Sequence, residues 1–285
     1  MPRVSLVLGA GGARGYAHIG VINQLCARGY EIVSISGSSM GALVGGIYAA
    51  GGLDAYAEWV RKLRWIDVVR LLDLHFSHGT IRGDKVFAKL ESLIGNPSIE
   101  SLPMHYTAVA TDLSRQKEVW FQQGPLLDAI RASSAVPGVF TPVHKAGSVL
   151  VDGAVLNPLP MIPTVAVEAD MILAVDLNAA DDEVASEVLP GIRHLLADRS
   201  VRANQRVGVM LSSMEVLQSA LSRYKIAGYQ PDLLIRIPKS LAGFHEFHRA
   251  TELIDLGNRI AARQLDVFEA RSQPDTPQHT DDRLS

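Results

Sequence analysis

The junction between a strand-like run and a helix-like run around Ser39 constrains the fold of this chain more than any other feature. Residues 32–36 form a short run rich in β-branched side chains, and residues 40–50 are rich in Ala, Leu and Gly. The motif Gly37-Ser38-Ser39-Met40-Gly41 joins the two runs. In a G-x-S-x-G nucleophile elbow the chain turns so tightly that bulky residues two positions from the serine would clash. The pattern predicts that Ser39 presents its Oγ at a helix N-terminus, as the nucleophile of a hydrolase or acyltransferase that forms an acyl-enzyme. A simple tight turn between two glycines is the alternative interpretation.

A glycine-rich loop follows the first apolar strand and reads Gly9-Ala10-Gly11-Gly12-Ala13-Arg14-Gly15. Glycines let backbone N–H groups point into a cleft at a helix N-terminus, where an anion can bind. One use of such a loop is an oxyanion hole for acyl transfer. The other use, a dinucleotide-binding G-x-G-x-x-G, fails because Arg14 stands at the third glycine position and Glu31 lies at the start of the second strand. A Walker A loop fails too, because no Gly-Lys-Ser/Thr follows.

A third motif places an aspartate at the end of an apolar strand, in Val149-Leu150-Val151-Asp152-Gly153-Ala154. In a parallel sheet this position would lie at the same edge as Ser39 and the glycine loop. Burial would raise the pKa of Asp152 and make it a better base near neutral pH. A purely structural Asp-Gly turn is the other interpretation.

No histidine stands out as the third member of a triad. His18 lies in the helix after the glycine loop and His144 follows Pro142, and neither has an acidic partner nearby in sequence. The histidines beyond the aspartate fall in helical or tail segments, namely His194, His245, His248 and His279. A carboxylate can itself serve as general base and later as general acid, so the absence of a histidine does not exclude hydrolysis.

Composition and charge limit the class of protein. The 285 residues are 47% hydrophobic and 20% charged, which suffices for one large α/β domain or two small ones. A net charge of −3 without a Lys/Arg cluster argues against nucleic acid as a partner. The single cysteine, Cys26, excludes an internal disulfide and is expected in the core. With no signal peptide and no apolar run of about 18 residues, we expect a cytoplasmic protein, and contact with a membrane surface stays open.

Strand-like and helix-like patterns alternate along the chain. The predicted strands are Ser5–Leu8, Ile32–Ser36, Tyr106–Thr111, Val119–Phe121, Val149–Val151, Ile172–Val175 and Leu233–Ile237. The predicted helices are Gly15–Arg28, Met40–Ala50, Leu53–Leu74, Gly83–Ile94, Leu126–Ser133, Pro190–Leu221 and Phe244–Phe268. This order predicts a three-layer α/β/α fold with a mostly parallel central sheet. Residues 1–271 are expected to form one domain, followed by a disordered tail over residues 272–285.

The three motifs, taken in their order, resemble those of the patatin-like phospholipases, in particular the bacterial branch related to neuropathy target esterase. The residues that carry the resemblance are Ala10 to Gly15, Gly37 to Gly41 and Asp152 to Ala154, with further similar segments at residues 108–113 and 130–140. The resemblance covers residues 4–178, and more weakly the remainder. It implies a Ser–Asp dyad in place of a triad, with Ser39 as the nucleophile and Asp152 as the base that activates it directly.

The same resemblance assigns roles to the glycine loop. The implied oxyanion hole is formed by backbone N–H groups of Gly11, Gly12 and Ala13, and Arg14 would brace the loop. The supporting motif positions are Gly15, Gly37, Gly41 and Gly153. One departure is visible, because the family's run of three glycines begins here with Ala10, whose Cβ should avoid a positive φ.

The implied activity is hydrolysis of acyl esters of lipids, phospholipids or lysophospholipids, by a patatin-like domain without metal or cofactor. An apolar channel should then lead to Ser39, and residues 65–76 are a candidate wall or lid, although an amphipathic helix packed on the core is the favoured interpretation. The same caution applies to Met210, Leu211, Met214, Leu217 and Leu221. Two other classes remain as alternatives: a patatin-fold regulatory or binding protein with little turnover, and a nucleotide-binding oxidoreductase.

Overall fold

A computed structural model of the chain describes residues 1–71, 81–180 and 206–272. Within these ranges the strands are β1 (Arg3–Leu8), β2 (Glu31–Ser38), β3 (His105–Asp112), β4 (Lys117–Phe121), β5 (Val143–Lys145), β6 (Ser148–Asp152), β7 (Met171–Ala179) and β8 (Leu233–Pro238). The helices are α1 (Ala17–Ala27), α2 (Met40–Ala49), α3 (Leu53–Arg61), α4 (Trp65–Leu71), α5 (Asp84–Ile94), α6 (Leu126–Ser133), α7 (Arg206–Gly228) and α8 (Ala250–Ser272).

All these strands belong to one sheet, in the order β5-β6-β3-β2-β1-β7-β8, with β4 also paired to β3. The five strands from β3 to β8 in this order run parallel, while β4, β5 and β6 pair antiparallel. The predicted α/β fold, with helices flanking a mostly parallel central sheet, is thereby confirmed.

The direction of β6 corrects one premise of the sequence analysis, since β6 runs antiparallel to β3 rather than parallel. A strand has only two edges. Because β4 covers one edge of β3, β6 shares the other edge with β2, end to end. Ser38 pairs with Val109 and Asp152 pairs with Ala110, the next residue along β3. The aspartate therefore meets the end of β2 from the opposite direction.

The central strand β1 is buried on both faces, as its apolar sequence requires. Leu6 and Leu8 join the large core beneath α1, α2 and α8. Val7 points to the opposite face and packs in a smaller cluster with Leu159 and Met161. The glycine loop and the turn at Ser39 therefore follow strands of a sheet with apolar packing on both sides.

Two glycines let the first and last of these helices touch along their backbones. A Cβ at Gly20 of α1 would overlap the Ile254 carbonyl of α8, and a Cβ at Gly257 would overlap Ala17. Larger residues at either position would force the helices apart.

Three differences from the predicted elements have clear local causes. The helix predicted over residues 53–74 is divided into α3 and α4, because the Asp67 carboxylate accepts from the Arg64 N–H and starts a new helix. The last helix begins at Ala250 rather than Phe244, and β5 was not predicted. Cys26 is exposed, so its predicted place in the core is wrong.

Other predictions fall partly or wholly outside the description. Residues 72–76 of the candidate lid, residues 190–205 of a predicted helix, and residues 273–285 of the predicted tail lie outside the described residues, whereas Ser272 ends α8. Within the described ranges, no helix combines the length and apolar character needed to cross a bilayer.

Candidate active site

Ser39 occupies the turn between β2 and α2 with φ 57° and ψ −125°. This backbone conformation is rare for a residue with a side chain and typically costs 1–3 kcal/mol, so the rest of the fold must enforce it. A Cβ at Gly37 would overlap the backbone of α2, and a Cβ at Gly41 would overlap the Leu8 carbonyl of β1. The glycines on either side are therefore required by close backbone approach, as in an elbow.

A buried serine on α6 holds the strained turn in place. The Ser39 N–H donates to Ser133 Oγ at 3.0 Å, and the Ser133 hydroxyl donates to the Val109 carbonyl at 2.6 Å. Ser133 thereby links the turn to β3 without touching the Ser39 hydroxyl. Sequence reasoning missed this role, although Ser133 lies inside a segment that resembles the family.

Asp152 is buried at the end of β6, with 1% of its surface exposed. Its Oδ1 accepts a hydrogen bond from the Ala154 N–H at 2.8 Å, while Oδ2 accepts none from any residue in the described part of the chain. Burial raises the pKa of Asp152 from 3.8 to about 6, and the adjacent Ser39 hydroxyl and the Ala154 N–H lower it in part. The Ser39 hydroxyl is thus close enough to influence the carboxyl, although no hydrogen bond to Oδ2 is complete.

The residue after the aspartate must be glycine for steric reasons. A Cβ at Gly153 would overlap the Val109 carbonyl and approach the Ser38 hydroxyl oxygen at 2.8 Å. The Asp-Gly pair therefore does more than form a turn, because it lets the aspartate reach the end of β2.

The glycine loop is pinned by hydrogen bonds from three of its N–H groups. Gly9, Ala10 and Ala13 donate at 2.9–3.0 Å to the carbonyls of Val175, Pro158 and Phe244, respectively. By contrast, no described residue accepts from the N–H groups of Gly11 or Gly12. The engaged N–H of Ala13 differs from the expectation that it contributes to an oxyanion hole.

Two further properties of the loop bear on the sequence analysis. Gly12 has φ 57°, whereas Ala10 is not among the residues with positive φ. The departure from three glycines is therefore accommodated without backbone strain. Gly15 packs against the first residue of α2, because a Cβ there would overlap the Met40 side chain.

Arg14 is buried beneath the loop and binds three separate segments. Its Nη1 donates to the Lys239 carbonyl at 2.8 Å, and its Nη2 donates to Asn178 Oδ1 at 3.3 Å. An ion pair of 3.4 Å joins Nη2 to Glu215 of α7. The Asn178 amide in turn donates to the Ala10 carbonyl at 2.9 Å, so these contacts tie the loop to the end of β7.

His18 is buried behind the same loop and has no acidic partner among the described residues. Its Nε2 lies 2.8 Å from the Gly9 carbonyl, which makes Nε2 the protonated nitrogen of a neutral ring. Burial lowers its pKa to about 4, against the opposing influence of the Gly9 carbonyl. The hydrogen-bond partner of His18 is therefore in the glycine loop, and His144 is exposed on β5.

An apolar pocket opens onto Ser39 and contains about 930 Å³ of empty space, counting the part open to solvent. Representative lining residues are Leu43, Trp59, Val68, Phe87, Val136 and Phe247. Gly12 also lines it, so the glycine loop faces the same space as the serine. Val68 and Leu71 place α4 in the pocket wall, while Trp65 and Ile66 of the same helix are exposed.

Comparison with known proteins bears on the whole chain. The profile of the family described as Patatin-like phospholipase matches residues 6–165. An uncharacterized NTE family protein of Mycobacterium tuberculosis is 41% identical, over 94% of this chain and 92% of its own length. The lysophospholipase nte1 of Emericella nidulans is 29% identical, over 63% of this chain and 12% of its own length. The crystal structure of VipD from Legionella pneumophila has a TM-score of 0.58 at 15% identity, covering 94% of this chain and 67% of that chain.

The fold and the site together define a mixed α/β protein in which a strained serine lines an apolar pocket. The serine stands at the carboxyl end of β2, an interior strand of the central sheet. The family profile matches more than half of the sequence, and the mycobacterial relative is similar over nearly its whole length. Both findings point to the same family. The chain belongs to the patatin-like phospholipase family. This membership confirms the resemblance seen in the motifs and implies a lipid ester hydrolase in general.

Proposed function

We propose that residues 1–271 form the catalytic domain of a serine lipid acyl hydrolase in which Ser39 and Asp152 act as a dyad. The observation that carries this proposal is the pairing of a strained serine with a buried carboxyl that keeps one acceptor oxygen free of described partners. Ser39 lines an apolar pocket, and the Asp152 carboxyl is buried next to the Ser39 side chain.

In the proposed first step, the Ser39 hydroxyl attacks the carbonyl carbon of the acyl ester while Asp152 takes its proton. A base is most effective when its pKa lies near the working pH, and burial has moved the pKa of Asp152 toward that range. The protonated carboxyl then gives this proton to the alcohol that leaves, and an acyl group remains on Ser39. In the second step Asp152 accepts a proton from water, and the water oxygen attacks the acyl carbon. The bond between the acyl group and Ser39 Oγ then breaks, Asp152 returns the proton to Oγ, and the carboxylic acid leaves.

The negative charge on the carbonyl oxygen needs donors that are already in place. The N–H groups of Gly11 and Gly12 fit this role, because no described residue accepts from them and Gly12 faces the pocket. A single donor of this kind can contribute about 3 kcal/mol to transition-state stabilisation. We assign the hole to these two glycines; Ala13 would join only after releasing the Phe244 carbonyl.

The pocket supports an acyl chain as the group bound beside Ser39. Its walls are mainly aliphatic and aromatic side chains, and apolar surface gains about 25 cal/mol per Å² when it is removed from water. Phospholipids, lysophospholipids and simpler acyl esters all contain an acyl chain. The match with a lysophospholipase supports substrates of this class.

The proposal is tested with wild-type protein, Ser39→Ala, Asp152→Asn and the control Ser92→Ala, which changes an exposed serine of α5. A fluorophosphonate should label the wild type and the control at Ser39, and both should hydrolyse a panel of lysophospholipids, phospholipids and short acyl esters. Each dyad variant should keep its circular dichroism spectrum and lose turnover. Full turnover in either variant would refute the dyad.

The same measurements distinguish a patatin-fold binding protein. Such a protein would leave its wild-type serine unlabelled and hydrolyse no member of the panel, while it still bound a fatty acid. This outcome would remove the hydrolase and retain the fold.

A further inference from the structure

The helix α7 packs onto the domain through both polar and apolar side chains. Gln218, Ser219 and Ser222 are buried, and the Ser219 hydroxyl donates to the Asn178 carbonyl at 3.0 Å. Ile226 packs against the small apolar cluster that contains Leu159. A helix at a protein surface ordinarily turns its apolar face inward. Here several of the buried residues are polar instead.

Two ion pairs continue the same polar face along the helix. Glu215 pairs with the buried Arg14 at 3.4 Å, and Lys225 pairs with Glu118 of β4 at 3.1 Å. These two contacts lie on either side of the serines that face the domain. The charged groups of α7 at these positions are therefore occupied by the protein itself.

The outward face of α7 is apolar and exposed. Val216, Leu217 and Tyr224 are 70%, 61% and 77% exposed, and Val209 is 46% exposed. Spacings of seven and eight residues between Val209, Val216 and Tyr224 place them on one side of a helix with 3.6 residues per turn. Arg223, seven residues after Val216, is a charged and exposed residue on the same side of the helix.

The first part of α7 contacts a segment of the pocket wall. The Met210 methyl group occupies the space where a Cβ of Gly138 would stand. Gly138 lies between Val136 and Phe140, which both line the pocket. From Met210 to Tyr224 the helix extends about 21 Å, at 1.5 Å per residue. The exposed apolar side chains therefore extend from this segment across the surface, with the exposed Ser213 among them.

We propose that the outward face of α7, defined by Val209, Val216, Leu217 and Tyr224, docks onto a lipid bilayer. Exposed apolar patches of this kind mark interaction surfaces, and an in-plane helix binds a bilayer by burying such a face at the boundary between headgroups and acyl chains. The proposal rests on the proposed function. A hydrolase that acts on bilayer lipids takes its substrate from the bilayer surface, and an apolar face next to the pocket wall is suited to meet that surface.

On this face the exposed apolar side chains outnumber the one charged residue with a described side chain, Arg223, and this composition predicts how the face binds. Attraction between basic residues and anionic lipids weakens with salt, whereas burial of apolar side chains does not. We therefore expect binding to zwitterionic phosphatidylcholine vesicles that persists at high salt.

The direct test is vesicle flotation with phosphatidylcholine vesicles, carried out on Ser39→Ala protein so that the lipid stays intact. The double variant Val216→Asp/Leu217→Asp should reduce binding at least about tenfold, because two large apolar side chains no longer enter the bilayer. The control Val267→Asp, at an exposed position on α8, should bind as the parent does. The uncharged variant Val216→Ser/Leu217→Ser should also lose binding, and circular dichroism checks that each variant is folded.

Each other outcome overturns the docking surface. Absence of binding by the parent, equal binding by the double variant, or equal loss in the α8 control would each do so. Light scattering that instead shows the parent to be a dimer and the double variant a monomer, with no vesicle binding by either, is the remaining outcome. This result would overturn bilayer docking and assign the face to contact with a second copy of the chain. Hydrolysis of a short, water-soluble ester by wild type tests the catalytic proposal separately, since flotation of the Ser39→Ala protein requires no turnover.

Discussion

Asp152 accepts one hydrogen bond, from the N–H of Ala154 at 2.8 Å, and its second carboxylate oxygen is buried without a described partner. A carboxylate that is held by one donor and shielded from water is poorly stabilised in its charged form. Burial is accordingly the main cause of its raised pKa. The same burial that fits Asp152 for its proposed role as a base also makes its charged form unfavourable in the folded protein.

The first prediction concerns the pH dependence of acylation. Only ionised Asp152 can take the Ser39 proton, so kcat/KM for a soluble ester should fall as pH drops through about 6, where its pKa lies. The profile should be level above this value until other groups titrate. Initial rates of ester hydrolysis measured between pH 4 and pH 9 would show this fall in kcat/KM. Full activity at pH 4.5 would contradict the assignment of Asp152 as the base.

A second prediction concerns stability. The pKa of Asp152 is raised from 3.8 to about 6, so the folded state holds this proton more tightly than the unfolded state. The stability gained is present below pH 3.8 and is lost as pH rises through about 6, a difference of ~3 kcal/mol. Asp152→Asn should therefore melt above wild type at pH 8, with the advantage vanishing near pH 4. The exposed Asp128→Asn serves as a control and should show no such trend.

A third prediction separates strain from chemistry at the nucleophile. Ser39→Ala and Ser39→Gly both remove the hydroxyl, so neither should react with a fluorophosphonate. Glycine tolerates φ 57° and ψ −125° far better than alanine. Thermal unfolding should therefore show the glycine variant to be the more stable of the two by about 1 kcal/mol. A more stable alanine variant would mean that the turn is not strained.

A fourth prediction addresses the close approach of α2 to β1. Gly41→Ala would drive a methyl group into the Leu8 carbonyl, and should cost about 3 kcal/mol or more together with activity. Gly228→Ala is the matched control, since a Cβ at this exposed end of α7 meets nothing within 4 Å. Chemical denaturation of both variants measures the difference, and similar stabilities would contradict the packing described.

A fifth prediction concerns the support of the glycine loop. Arg14→Met keeps much of the side-chain volume but removes the bonds to Lys239, Asn178 and Glu215. We expect a loss of about 3 kcal/mol in stability and a lower kcat with KM less affected, because the loop would no longer be fixed. Arg64→Met removes only an exposed ion pair and should change neither quantity appreciably.

The features predicted correctly from sequence are those determined by neighbouring residues. The turn at Ser39 requires glycine two positions before and two positions after the serine. Five consecutive residues therefore suffice to predict the turn. The parallel strands were recognised because their apolar runs are buried on both faces.

The direction of β6 could not be predicted because its turn lacks the usual sequence signal. Ala146 and Gly147 connect β5 to β6 with φ 47° and 77°, a conformation that ordinarily selects Asn-Gly or Gly-Gly. Because alanine occupies the first turn position, the sequence carries no signal for the hairpin between β5 and β6. The apolar run of β6 then resembles a strand of the parallel part of the sheet.

Contacts between distant segments also remained hidden. The partners of Arg14 lie on β7, on α7 and after β8, and nothing local marks them. Phe244 and Phe247, both predicted in the last helix, lie before it and line the pocket, and the Phe244 carbonyl also accepts from the Ala13 N–H of the glycine loop. Only tertiary packing decides such roles.

The backbone contact between α1 and α8 bears on how the protein is made. Chains emerge from the ribosome N-terminus first, so the glycine loop and the elbow appear long before α8 and its two-glycine contact with α1. The bond from Ala13 to Phe244 is equally late. A nascent chain therefore carries Ser39 and the glycine loop through most of translation before the late contacts that hold α1 and the loop can form.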